Sequence, residues 1–216
     1  MSAAADAPLT LAITGASGAP YAVRLLQVLS ASDVSVRLIV SRTGWRLLAE
    51  EAGIASEEEL RKATAWRRVQ LYEDSDRGAT PASGSAPSRG MIVCPCSMGT
   101  LASIAQGTTR SLIERAADVC LKERRPLVLV PRETPYSTIH LENMLRLSRA
   151  GALVLPASPG FYHRPESIDE LIDFVVGRIL MHVGVEHSLG PRWESGERAS
   201  GGQESDERAS GQGMGG

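Results

Sequence analysis

The sequence predicts a doubly wound α/β sandwich built on a parallel sheet, and three observations carry that prediction. Apolar β-type runs recur along the chain, helical patterns fall between them, and small, hydroxylated or charged residues collect where the runs end.

The runs are LTLAIT (9–14), VSVRLIV (34–40), GMIVCP (90–95), PLVLVP (126–131) and GALVLPA (151–157). Their near-continuous hydrophobicity is the pattern of strands covered on both faces, and so of a three-layer sandwich. Between them the 3.6-residue period predicts helices in APYAVRLLQVLS, TGWRLLAEEAG, SMGTLASIAQG, SLIERAADVCLKER and TIHLENMLRLSRAG, with a last one in SIDELIDFVVGRILMHVG. Residues 55–66 also read as helix and VQLYE (69–73) as a short strand, followed by the long Gly/Pro/Ser loop DSDRGATPASGSAPSRG. A loop of that length in a compact domain is functional or mobile, and composition leaves both readings open.

The 216 residues, 43% hydrophobic and 22% charged, fit one globular domain, predicted over 1–189. From about Gly190 the chain turns to WESGERASGG and QESDERASGQ, an imperfect polar repeat that reads as a disordered tail, 190–216. A net charge of −2 argues against a nucleic-acid partner. No apolar stretch approaches the ~20 residues that span a bilayer, and the opening MSAAADAP lacks the features of a signal peptide. With three cysteines and no even disulfide framework, a reduced cytoplasmic setting is expected.

In open α/β sheets ligands bind beyond the carboxyl ends of the strands. Those ends carry Gly15–Gly18, Ser41, CPCSMGT, PRETPYS and PASPGFYHRP. Gly15 and Gly18 around Ser17 allow close backbone approach at a helix start, but they do not complete G-x-G-x-x-G. A plain strand-to-helix turn, with Ser17 as its cap, stays open. Ser97 and Thr100 at a second helix start suit either capping or phosphate binding. Cys94 and Cys96 lack the second ligand pair a zinc site needs, so no metal site is predicted and buried strand-end thiols are expected.

Arg115 and Lys122 lie seven apart and share one helix face. Arg132 follows a strand directly, next to Glu133, and Arg178 interrupts an apolar helix, where it is either edge-exposed or paired with an anion. The four histidines form no nucleophile–base pattern, and Glu51, Glu133 and Glu142 are the carboxylates available for acid/base work.

Together TLAITGASGAPYAVRLL, PASGSAP, CPCSMGTLASIAQG, LIERAADVCLKERRPLVLVPRETPYSTIHLENML, PGFYHRP and FVVGRIL resemble the UbiX-type flavin prenyltransferase family, in order and as far as about Trp193. The resemblance implies a Rossmann-like or flavodoxin-like subunit that binds reduced FMN. Such enzymes transfer a dimethylallyl group from dimethylallyl phosphate to flavin N5 and C6 without a metal. The product, prenylated FMN, serves UbiD-type decarboxylases, and the subunits assemble as a homododecamer with sites at their junctions.

By matching position, Gly15, Ala16, Ser17, Ser41, Ser97, Met98, Gly99, Thr100 and Arg132 would hold FMN. Arg115, Lys122, Tyr162 and Arg178 would hold dimethylallyl phosphate, with Lys122 also catalytic as a fixed charge. Glu133 would shuttle a proton, Ser17 would orient groups near flavin N5, and Glu51 would be a second carboxylate. Two alternatives are a cysteine decarboxylase of the same fold and a non-catalytic FMN-binding subunit of a decarboxylase. The first would want a histidine near the first helix, where this chain has Ala19–Tyr21. The second has no need of Lys122, Glu133 and Arg178 together.

Overall fold

The computed structural model describes residues 7–189, so the predicted tail lies outside the described residues. Six parallel strands form one sheet in the order β3-β2-β1-β4-β5-β6. They are β1 (Leu9–Ile13), β2 (Val36–Val40), β3 (Val69–Glu73), β4 (Gly90–Cys96), β5 (Leu127–Pro131) and β6 (Leu153–Val154). Seven helices cover it: α1 (Ala19–Ala31), α2 (Arg42–Ala52), α3 (Glu57–Thr64), α4 (Met98–Ala105), α5 (Leu112–Lys122), α6 (Thr138–Arg149) and α7 (Ile168–His182).

The strand pattern has the physical cause the sequence suggests. Alternate residues of each central strand enter two separate cores. Leu9, Leu11 and Ile13 of β1 pack with α1, α3 and α7, whereas Ala12 joins Met91, Val93, α4 and α5 on the other face. Every residue of β1, β4 and β5 is buried, so no polar alternation is left to read.

One strand is much shorter than the sequence expectation. The last strand was expected over 151–157 and is two residues long. Backbone pairing continues past it, from Leu155 N–H to Leu129 O at 2.8 Å and Ala157 N–H to Pro131 O at 3.0 Å, but Pro156 between them has no N–H to give. The expected strand VQLYE is present as β3, half-buried at the sheet edge beside β2.

The long polar loop is a brace for α5. Asp74 accepts from Leu112 N–H at its carbonyl (2.7 Å) and from Ile113 N–H at its carboxylate (3.0 Å). At the other end the Arg125 guanidinium, just past α5, donates to Gly84 O.

Six of the seven α-helices start on a serine whose hydroxyl accepts an N3 amide: Ser41, Ser56, Ser97, Ser111, Ser137 and Ser167. The exception is α1, capped at Gly18 with no side-chain bond of its own segment.

Candidate active site

The sheet order reverses direction between β1 and β4, and there the chain leaves both strands toward helix starts. This switch point is where an open α/β sheet has a crevice. Its floor is laced by Thr14, which the sequence reading counted as the last strand residue. Thr14 is 1% exposed. Its hydroxyl donates to Pro95 O at 2.8 Å and accepts from Ser97 N–H at 2.8 Å, tying the exit of β1 to that of β4.

Gly15 makes room for protein: a Cβ there would lie 2.5 Å from Thr43 Cβ. Gly44 is matched to it, since its Cβ would stand 2.5 Å from Ile13 O. The two glycines let α2 seat its first turn against the end of β1. Gly18 is required for a different reason, a φ of 125° that side chains rarely adopt.

The missing cap of α1 comes from α2. Glu51 Oε2 accepts from both Gly18 N–H and Ala19 N–H at 2.8 Å, so a carboxylate sits on the positive end of α1. Ser17 does not cap α1; its hydroxyl lies close enough to the Glu51 carboxylate to favour the ionised form. Arg132 reaches from the end of β5 and donates from Nε to Ser17 O at 3.2 Å. Burial pushes the Glu51 carboxyl up, but the Gly18 amide, the Ser17 hydroxyl, the Ala19 amide and the Arg132 charge outweigh it and hold it below the usual carboxylate range. Ser17, Glu51 and Arg132, placed far apart in sequence, thus form one connected group.

At the other lip Ser97 accepts from Thr100 N–H at 3.2 Å and donates to Thr100 Oγ1 at 3.0 Å. With the Ser97 and Thr100 amides engaged, Met98 and Gly99 carry the amides of α4 that have no intrahelical acceptor. Ser41 caps α2 through Gly44 N–H at 2.9 Å. The donor set suits a phosphate monoester, because unfilled amides and a positive helix end favour an anion. The end of α1 is already filled by Glu51.

Cys94 and Cys96 are fully buried, and desolvation pushes the Cys96 thiol up to about 12 and Cys94 higher still. They are protonated packing groups. Among the described residues no cluster of His, Cys, Asp and Glu is arranged to hold a metal ion.

The remaining predicted residues are not gathered in one subunit. Glu133 lies beside Arg132, its carboxylate accepting from Thr134 N–H at 2.9 Å. Arg115 pairs with Asp118 at 2.7 Å and Lys122 with Glu123, all on or just past α5. Tyr162 stands exposed in the loop before α7, and Arg178 on α7 points outward with Nη1 3.8 Å from Met181 Sδ. The helix α5 packs in one core and α7 in the other, so the sheet separates the two pairs. Four residues connect Lys122 to the start of β5, which puts Lys122 near the amino edge of the sheet, away from the crevice. Sequence reading also missed Thr14, Thr43 and Asp74; a buried hydroxyl directly after an apolar run was the one available signal.

Residues 3–180 match the Flavoprotein family. A flavin prenyltransferase UbiX of Pseudomonas aeruginosa is 48% identical over 194 residues, covering 86% of this chain and 93% of the relative. One from Halalkalibacterium halodurans is 50% identical over 191 residues, with 85% and 92% covered. The chain belongs to the UbiX flavin prenyltransferase family. Among solved structures, AnUbiX (PadA1) in complex with FMN and dimethylallyl pyrophosphate is 40% identical, with a TM-score of 0.77 and 86% and 99% of the two chains covered. A dodecameric FMN-dependent UbiX-like decarboxylase from Escherichia coli is 44% identical, with a TM-score of 0.80 over 87% and 99%. The FMN-dependent cysteine decarboxylase TvaF, 15% identical at a TM-score of 0.58, shares the fold alone.

Proposed function

We infer that the chain is a flavin prenyltransferase that moves a dimethylallyl group from dimethylallyl phosphate to N5 and C6 of reduced FMN. The observation that carries this reading is the connected Ser17–Glu51–Arg132 group at the switch point, in a chain of this family. Reduced FMN supplies the nucleophilic nitrogen and carbon. Everything else falls to side chains.

FMN would be held by the turn Gly15–Ser17, by Ser41, by the α4 start from Ser97 to Thr100, and by Arg132. The free Met98 and Gly99 amides suit its phosphate. The Ser17 hydroxyl favours the ionised form of Glu51, an arrangement in which the hydroxyl can yield its proton to the carboxylate and take another from a group bound above it. Glu133 would carry the proton at the leaving phosphate.

A leaving phosphate needs fixed positive charge in a closed site, and a metal is not required where cations supply it. Lys122, Arg115, Arg178 and the Tyr162 hydroxyl would provide that set. Because the sheet keeps Arg115 and Lys122 apart from Tyr162 and Arg178 within one chain, the reading takes them from different subunits. The dodecameric relative supports a homododecamer, in which such sharing would be available. The AnUbiX complex supports a dimethylallyl donor, there a pyrophosphate. A UbiD-type decarboxylase would receive the product. No described helix is long and apolar enough to cross a membrane, and a cytoplasmic location suits the family reading.

The test is mass spectrometry of flavin extracted after incubating the purified chain with reduced FMN and dimethylallyl phosphate, with a chelator present. A flavin heavier by one dimethylallyl unit is expected. Unmodified flavin from FMN-loaded protein would refute the reading.

A further inference from the structure

Tyr162 stands in a small aromatic cluster set by its own loop and α7. Its ring meets His163 edge-on at 5.6 Å and 77°, and Phe174 edge-on at 5.8 Å and 78°. His163 and Phe174 lie face to face, with centroids 5.4 Å apart and planes 3° from parallel. Gly160 lies against two of these rings, since a Cβ there would stand 2.9 Å from Tyr162 Cε1 and 3.2 Å from Phe174 Cζ. Arg164 then turns the chain back with a φ of 52°, and its N–H donates to Phe161 O at 3.0 Å.

Both ring nitrogens of His163 are shielded from solvent and have no hydrogen-bond partner among the described residues. Burying unpaired polar atoms is unfavourable, so within the subunit this imidazole contributes its ring face. The ring lies parallel to Phe174 and meets Tyr162 edge-on, where it can fix its neighbour. Tyr162 is 63% exposed, and without an aromatic wall its ring would sample several rotamers.

We propose that His163 is a positioning residue for prenyl transfer: stacked on Phe174, it holds the Tyr162 ring so that the hydroxyl meets the donor phosphate. The proposal rests on the reading of Tyr162 as a phosphate-binding group.

Steady-state kinetics with saturating reduced FMN and varied dimethylallyl phosphate test it, with FMN affinity measured in parallel. Tyr162→Phe removes one hydrogen bond to a charged group and is expected to raise the donor KM about tenfold. His163→Ala should raise it by a similar factor while FMN affinity holds. His163→Phe keeps the ring face and should restore the donor KM to within about twofold of the parent. Because both residues act through one hydroxyl, Tyr162→Phe combined with His163→Ala should be no worse than Tyr162→Phe alone. If His163→Ala fails to load FMN, Phe174→Leu strips the stack from the other side and should give the same KM rise.

A normal donor KM in His163→Ala or Phe174→Leu, beside a raised one in Tyr162→Phe, overturns the positioning role and spares the phosphate reading. A multiplied effect in the double variant, or His163→Phe as damaging as His163→Ala, overturns it too. An unaffected Tyr162→Phe removes the phosphate reading and the proposal together.

Discussion

The switch-point crevice and the α5/α7 cations are built in opposite ways. At the crevice the groups that frame the site have partners from distant elements: Thr14 with Pro95 and Ser97, Glu51 with Gly18 and Ala19, Arg132 with Ser17. Arg115, Lys122 and Arg178 instead contact residues one to three positions away in sequence, and two of the three pair with carboxylates. The first region is finished within one chain. The second is held in waiting, and exposed ion pairs of that kind contribute little to stability. The proposed flavin end and the proposed phosphate end of the site differ in the same way.

The largest effect that would break this contrast concerns Lys122. Lys122→Ala should lower prenyl transfer by about 100- to 1,000-fold, as removal of a fixed charge at a leaving group does. FMN binding, followed by fluorescence, should stay within about twofold of the parent. Weakened FMN binding would mean that the two ends are not separable.

Gly44→Ala attacks the crevice frame. With Ile13 O only 2.5 Å from the new methyl, the expected loss is about 1–3 kcal/mol in denaturant unfolding. Glu51→Gln comes next. Losing the carboxylate cap should lower stability by about 1 kcal/mol at neutral pH, read as a drop in Tm.

The pH dependence of that gap follows from the depressed Glu51 carboxyl. A group whose folded pKa is lowered adds stability that is fully present above its unfolded value, here 4.5. It is lost as pH falls through the depressed folded value. The Tm difference between parent and Glu51→Gln should therefore be constant above that range and shrink in acid. A gap that grew on acidification would contradict the cap. The smallest effect is expected from Asp118→Asn, which unpairs Arg115 on the surface: a change below about 1 kcal/mol in stability.

The same contrast explains what the sequence disclosed. Buried strands read clearly because both faces are apolar, and the cluster of unusual residues at strand ends located the crevice before any coordinates. Ser97 was legible as a helix start because capping is local, whereas the Ser41 cap of α2 was read only as a strand end. The link from Glu51 to α1 was not, since it joins residues more than thirty positions apart, and α1 looks like any helix after a glycine turn. Gly15 was read as allowing close backbone approach to a ligand, and its missing Cβ also leaves room for Thr43 of α2, a contact that local sequence does not disclose. The separation of Arg115 and Lys122 from Tyr162 and Arg178 depends on which face of the sheet each helix covers, a property of topology that no local pattern encodes.

The loop after β3 gains a meaning from this arrangement. Asp74 grips the first amides of α5, and Gly84 receives Arg125 just beyond its last residue. Lys122 sits at the far end of that rod, which advances 1.5 Å per residue. The loop is therefore a ruler. A deletion within it would shift the lysine by ångströms relative to its own sheet, and under the proposed shared site the subunit that registers the error would be a neighbour.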